Sequence, residues 1–214
     1  MQNLIVITNT LGSMATNCYT IYNSETREAI MIDPASNARF LHNMLVNQRL
    51  KCVGIFLTHG HFDHTEGLKE LLELSEEKIP VYAGAEEVDI LADPYQNLSG
   101  MWSDVPISVK ADVLLQDEQE LELLGTTMTC KLVPGHTKGG MVYYFAENKL
   151  LFSGDTLFCR SVGRSDFPTG DARQLIQAIK DKIMVLPDDV TVYPGHNERT
   201  TIGKEREMNP FLED

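Results

Sequence analysis

The stretch Thr58-His59-Gly60-His61-Phe62-Asp63-His64 constrains this chain more than any other. It sets three imidazoles and a carboxylate within six residues, directly after the apolar run Val53 to Leu57. A buried strand that ends in a turn leaves its last side chains at a sheet edge, where a loop can fold several donors around one point. Histidine is the commonest metal ligand because neutral imidazole offers a lone pair near pH 7. The plain alternative is a polar loop whose histidines are satisfied by backbone, and six His in 214 residues is no excess. Spacing favours the metal. His59 and His61 flank Gly60, while the adjacent Asp63 and His64 must point in different directions. That geometry suits two metal ions side by side better than one.

Three later segments repeat the pattern. Pro134-Gly135-His136-Thr137, Ser153-Gly154-Asp155-Thr156 and Pro194-Gly195-His196 each follow an apolar, strand-like run and put one potential ligand beside a glycine. Glycine lets a backbone turn tightly or approach another closely. The candidate ligands are then His59, His61, Asp63, His64, His136, Asp155 and His196, which use five of the six histidines. A structural zinc site needs only four ligands, usually including Cys, so seven donors point to a larger centre.

At 214 residues the chain has the length of one ordinary domain, enough to bury a sizeable core. A hydrophobic content of 43% and a charged content of 23% describe a soluble globular protein. The net charge of −13 argues against a nucleic-acid partner, since phosphate binding draws on clustered Lys and Arg. Cys18, Cys52, Cys130 and Cys159 stand far apart with no C-x-x-C pair. They read as reduced thiols in a cytoplasm, the first three as small apolar strand residues and Cys159 as either buried or lining a pocket. No apolar run approaches the roughly 20 residues of a membrane span, and Leu4 to Ile7 is too short for a secretory signal.

Leu4 to Thr8, Cys18 to Tyr22 and Glu28 to Asp33 read as antiparallel strands at the edge of a first sheet. Asp33-Pro34-Ala35-Ser36 signals a helix start, and Phe40, Leu41, Met44 and Leu45 recur at helical spacing, with His42 off the stripe and facing solvent. After the metal loop, Leu68, Leu71 and Leu72 mark another amphipathic helix. A short strand at Val81 to Ala83 follows, then a helix from Ala85 to Leu91 with acidic residues in its first turn. Asp93 to Pro106 breaks the periodicity; Tyr95, Met101 and Trp102 there form a pocket wall, a subunit contact or a plain anchored loop. Strands follow at Val113 to Gln116, Gln119 to Leu124, Thr127 to Val133, Met141 to Ala146 and Leu150 to Ser153. A helix from Asp171 to Leu186 and a strand from Val190 to Tyr193 complete the pattern. Runs of strands closed by helices imply two sheets face to face with helices outside, an α/β (α+β) fold.

The series HGHFDH, then His136, Asp155 and His196, resembles the H-x-H-x-D-H signature of the metallo-β-lactamase superfamily across residues 50 to 212. Within it, Gly154-Asp155-Thr156-Leu157-Phe158 through Gly163-Arg164-Ser165-Asp166-Phe167 is similar to the glyoxalase II group, especially short bacterial members. The persulfide dioxygenases share a Gly-Arg-x-Asp-Phe tract. The resemblance implies a four-layer αβ/βα sandwich, two mixed sheets flanked by helices, as a single domain over 1–214. It also implies that the extra C-terminal helical domain of long glyoxalase II is absent.

By the same resemblance, His59, His61 and His136 hold one metal, Asp63, His64 and His196 hold a second, and Asp155 bridges them. Zinc is the expected ion, with Fe or Mn as alternatives. One zinc lowers the pKa of bound water from 15.7 to about 7, so hydroxide is expected to attack the carbonyl of a small thioester such as S-lactoylglutathione. Asp63 is expected to orient that nucleophile. Arg164 stands where related hydrolases place a basic residue for the substrate's anionic part; otherwise it forms a surface ion pair with Asp166 or Asp171. Thr58 and Thr137 are expected to support ligand imidazoles. The expected partner is a small-molecule thioester, with no nucleic acid or membrane, for a monomer or homodimer. The runner-up is a mononuclear iron persulfide dioxygenase, which commonly carries Ala where Gly195 stands, and a non-enzymatic metal-binding protein is the third class. Class B lactam hydrolysis generally uses a Cys near the second metal, and Asp155 stands instead.

Overall fold

The structure, a computed structural model, describes residues 4–213. Six strands form the first sheet in sequence order: β1 (Leu4–Leu11), β2 (Thr16–Asn23), β3 (Glu28–Ile32), β4 (Lys51–Phe56), β5 (Val81–Gly84) and β6 (Val113–Leu115). The first three pair antiparallel, and β3 through β6 pair parallel. The second sheet takes β7 (Gln119–Leu123), β8 (Thr126–Leu132), β9 (Met141–Phe145) and β10 (Leu150–Gly154) as an antiparallel run. After a small ribbon of β11 (Leu157–Phe158) and β12 (Ser161–Val162), β13 (Thr191–Pro194) adds parallel to β10, and β14 (Thr200–Thr201) closes the edge.

Alternation along the strands builds the layers, because successive strand side chains face opposite ways. In β3, Ile30 and Ile32 point between the sheets while Ala29 and Met31 point outward. In β9, Met141, Tyr143 and Phe145 point inward, and Val142 and Tyr144 point out. The outer face of the first sheet is covered by Ala38, Leu41 and Leu45 of α1 (Ala38–Asn47) and, beyond the four-residue α2 (Phe62–Thr65), by Leu68 and Leu71 of α3 (Leu68–Leu74). Leu91 of α4 (Val88–Ala92) joins them, followed in the chain by the short α5 (Ser99–Trp102). The outer face of the second sheet is covered by Leu175 and Ile179 of α6 (Ala172–Lys182) and Ile202 of α7 (Ile202–Met208). Helices therefore lie outside both mixed sheets, the expected four-layer sandwich. No helix among the described residues is long and apolar enough to cross a membrane.

Local signals succeed where they act alone. Asp171 caps α6 by accepting from the Gln174 N–H, and Lys180 and Lys182 sit in its last turn, where cations suit the helix dipole. Departures have identifiable causes. Asp33 starts no helix; α1 begins at Ala38 after Asn37 in the left-handed region, because the Asp33 carboxylate is engaged elsewhere. Phe40 lies off the stripe of Ala38, Leu41 and Leu45 and is exposed, whereas His42 is half-buried. The expected helix from Ala85 splits into a 3-10 turn, Ala85–Glu87, and α4. The inner layer is dense with rings. Phe152 meets Tyr19 of the opposite sheet edge-on at 5.2 Å and stacks on Tyr193 at 5.0 Å. Phe152→Ala is expected to cost roughly 3–5 kcal/mol of stability, the usual toll for emptying a buried aromatic site, measured as a shift in the urea midpoint at unchanged slope.

Candidate metal centre

All seven predicted ligands follow the C-terminal ends of strands at one edge of the sandwich. The first sheet sends β4 into His59, Gly60 and His61, and α2 then carries Asp63 and His64 in a single turn. The second sheet delivers His136 after β8, Asp155 after β10 and His196 after β13. Two tyrosines clasp these ends across the interlayer. Tyr143 donates to the Leu57 carbonyl and Tyr19 to the Pro194 carbonyl, each at 2.5 Å. The Asn17 N–H adds a bond to the Gly195 carbonyl at 2.7 Å.

The donors gather into two sets. His136 Nε2 lies 3.2 Å from His59 Nε2 and 3.0 Å from His61 Nδ1. In the second set, Asp63 Oδ2 lies 3.5 Å from His64 Nε2 and 3.3 Å from His196 Nε2. Asp155 stands between them: Oδ2 is 3.8 Å from His136 Nε2 and 3.5 Å from His196 Nε2, and Oδ1 is 3.3 Å from His64 Nε2. His64 Nε2 and Asp155 Oδ1 are buried without a hydrogen-bond partner. Adjacency in sequence did not separate Asp63 from His64, because α2 turns both onto one centre.

This arrangement fits cations. Ligand bonds of about 2.0–2.1 Å at tetrahedral angles hold nitrogens about 3.3 Å apart, close to the spacing of the first set. The tautomers agree. His64 Nδ1 donates to Asp33 Oδ2 at 2.8 Å and His136 Nδ1 to the Arg164 carbonyl at 2.7 Å. Thr58 Oγ1 gives its proton to Asp33 Oδ2 at 2.6 Å, leaving a lone pair for His59 Nδ1 at 3.1 Å. Each of these rings therefore turns a bare Nε2 inward, the arrangement by which partners outside the ligands fix a metal-binding imidazole.

Electrostatics divide the sets. Burial holds the His59 imidazole well below its ordinary value, lowers His136 and takes His61 to about 3, so the first set consists of neutral rings. Burial pushes Asp63 up, but the neighbouring His64 and His196 outweigh it and leave its pKa at about 2. Asp155 is likewise held well below the carboxylate range, because the neighbouring His64 and His196 outweigh desolvation. Burial opposes charge on His196, yet hydrogen bonds to Asp155 and Asp63 raise it to about 9.

The model of the family described as the metallo-beta-lactamase superfamily matches residues 11–196. This chain belongs to that superfamily. The hydroxyacylglutathione hydrolase GloC of Haemophilus influenzae is 33% identical over 205 residues, covering 92% of each chain. Among solved structures, BLEG-1, described as a B3 metallo-beta-lactamase, is 38% identical with a TM-score of 0.91, covering 97% of this superfamily member and 99% of its own chain. TTHA1623, solved in a di-iron-bound form, is 31% identical with a TM-score of 0.85, over 97% of this chain and 100% of its own.

Outside the donors, a cavity of about 400 Å³ opens past Met14, Trp102, Phe158, Arg164 and Phe167. Trp102 meets Phe167 edge-on at 5.3 Å and lines the cavity, so it forms a pocket wall although, like Tyr95 and Met101, it is exposed. Arg164 lines this mouth and also makes the ion pair with Asp166, through Nε and one terminal nitrogen at 2.7 Å each. Its guanidinium lies 3.9 Å above the Phe167 ring. Cys159 is half-buried and does not line the mouth.

Three supporting residues escaped the sequence reading. Asp33 resembled a helix signal, yet it is buried and accepts from Thr58 N–H, Thr58 Oγ1 and His64 Nδ1. Thr16 donates to Asp63 Oδ2 at 2.7 Å. Glu87, which resembled an ordinary helix-start acid, is buried against both ligand loops, and Thr137 bonds to it at 3.0 Å rather than to an imidazole. The one available signal was an aspartate ending the apolar run of β3. Asp33→Ala strips three buried donors of their acceptor; it is expected to weaken metal binding about 10–100-fold, read by titrating metal-free protein against a chromophoric chelator.

Proposed function

We propose that this chain is a binuclear metallohydrolase of the glyoxalase II type, acting on a small thioester such as S-lactoylglutathione. The observation that carries this reading is the position of Asp155, whose one carboxylate reaches donors of both sets. Divalent cations held by these two sets, zinc being the first choice, would supply Lewis acidity that lowers the pKa of water and polarises a carbonyl. The chain's own groups do the positioning. Asp63 stays ionised at neutral pH and accepts from Thr16 through Oδ2, so a water beside its carboxylate is held with a hydrogen toward Asp63 and a lone pair outward. A thiolate departs without prior protonation because thiols ionise near pH 8.5, which matches a mouth that offers no further acid beyond the ligand histidines and Arg164. Trp102 and Phe167 give one side of the cavity an aromatic wall.

A persulfide dioxygenase with one iron would use similar ligands. Gly195 favours the hydrolase. A Cβ there would lie 2.1 Å from Asp155 Oδ1 and 2.7 Å from His64 Cε1, so the alanine expected of dioxygenases would push both side chains away. The glycine keeps room for the bridging carboxylate at the second set. Support also comes from the likeness to GloC over most of both chains.

The test pairs metal analysis with a panel of S-lactoylglutathione, an uncharged thioester, a lactone, a β-lactam and glutathione persulfide with oxygen monitored. Two metal equivalents with thioester turnover are expected; oxygen uptake with one iron, or turnover confined to the β-lactam, would displace the proposal. Gly195→Ala is expected to reduce bound metal from two equivalents toward one and cut thioester turnover about 100-fold or more, in line with misplacement of about 1 Å at a reacting centre. Unchanged stoichiometry in that variant would show that the space beside Asp155 is not needed.

A further inference from the structure

Glu87 is fully buried at the end of the 3-10 turn Ala85–Glu87, and the chemistry above makes no use of it. A buried charge needs partners, and Glu87 has three. Oε1 accepts the Gly60 N–H at 2.8 Å; Oε2 accepts Thr137 Oγ1 at 3.0 Å and the Gly139 N–H at 2.9 Å. Gly60 is the residue between His59 and His61, and Thr137 follows His136. One carboxylate thus anchors both loops that carry the three histidines of the first donor set, one loop from each sheet, through two backbone N–H groups and the Thr137 hydroxyl.

Its bonds stop there. The second set is braced by other groups: Asp33 on His64, Thr16 on Asp63, and Asn17 on the turn before His196. The packing around Glu87 leaves little freedom for substitutes. A Cβ on Gly139 would lie 2.6 Å from Glu87 Oε2, and one on Gly60 would lie 2.9 Å from Ile90 Cγ2 of α4. All three partners are donors, so the position calls for a group that only accepts. A carboxylate does so at both oxygens, whereas a glutamine must turn its NH2 toward Gly60 or toward Thr137 and Gly139.

We infer that Glu87 is a positioning residue that sets the cation affinity of the His59, His61 and His136 set independently of the Asp63, His64 and His196 set. The inference rests on the two-centre reading above. It differs from a general structural role in one respect: loss of Glu87 acts on one centre and spares the other.

The experiment titrates metal-free full-length protein with Zn(II) against a chromophoric chelator, with His136→Ala identifying the step that belongs to the first set. Glu87→Gln is expected to weaken that step about 10–100-fold, the range for partners of metal ligands, while the other step changes less than about threefold. Thr137→Val removes one hydrogen bond and retains the carboxylate; the same step is expected to weaken about two- to tenfold. Should Glu87→Gln fail to fold, Thr137→Val decides. Equal weakening of both steps, weakening of the other step alone, or no change overturns the assignment and leaves two centres standing. A wild-type chain that binds a single equivalent overturns the two-centre reading and this assignment with it.

Discussion

Lone pairs aimed at one another are the constraint on which the rest of this structure depends. Three imidazole nitrogens of the first set approach within 3.0–3.2 Å of their neighbours, and the second set crowds two carboxylates around His64 and His196. Such groups repel or sit unsatisfied unless a cation joins them, and buried polar atoms without partners are costly. The scaffold must therefore hold the loops closed against their own donors. It does so with bonds that cross the interlayer: Tyr143 to Leu57, Tyr19 to Pro194, and the Met141 N–H to the Thr58 carbonyl at 2.7 Å. Each anchor falls next to a loop bearing ligands, so the aromatic core and the centre are one mechanical unit.

Behind the donors stand two buried carboxylates that share no hydrogen-bond partner. Asp33, at the end of β3, serves Thr58 and His64; Glu87, ahead of α4, serves Gly60, Thr137 and Gly139. Burial raises Glu87 to about 7 against the pull of its three hydrogen bonds. With donors on every side and no acceptor, the charged form is the one the site is built for. Asp33 is held in the left-handed region at φ 50°, a conformation that aspartate tolerates better than most residues. That small strain is overdetermined by its three hydrogen bonds.

Much of this was legible in the sequence, for a physical reason. Ligands cluster at strand ends, and a strand announces itself by alternation over a few residues, so HGHFDH and the later His136, Asp155 and His196 could be placed from local pattern alone. Two sheets face to face with helices outside followed from the order of strands and helices, in agreement with the four-layer sandwich that the family resemblance implied. What could not be read were bonds between distant segments. Asp33 and His64 lie 31 residues apart, Thr16 and Asp63 are 47 apart, and Glu87 and Thr137 are 50 apart. Nothing near Glu87 in the chain marks it as different from Glu86, which lies in the same turn and is exposed. Phe40 failed for a related reason: a helical stripe gives a face, and only the packed sheet shows where that face is centred.

The mouth of the cavity adds a different kind of constraint. Arg164 is the one arginine or lysine among the described residues that line it, and its charge is already engaged edge-on by Asp166 and face-on by Phe167. An anionic substrate arm must compete with a bidentate carboxylate two residues away, on a chain whose net charge of −13 repels it at longer range. An exposed pair of this kind contributes little, because water screens it, so the competition is one that a well-placed carboxylate can win, though with little left over as affinity. Met14, Trp102, Phe158 and Phe167 offer apolar area with no such rival. On the proposed function, binding at this mouth would draw on apolar contact first and on charge second, and discrimination between substrate arms would fall to residues outside the donor sets.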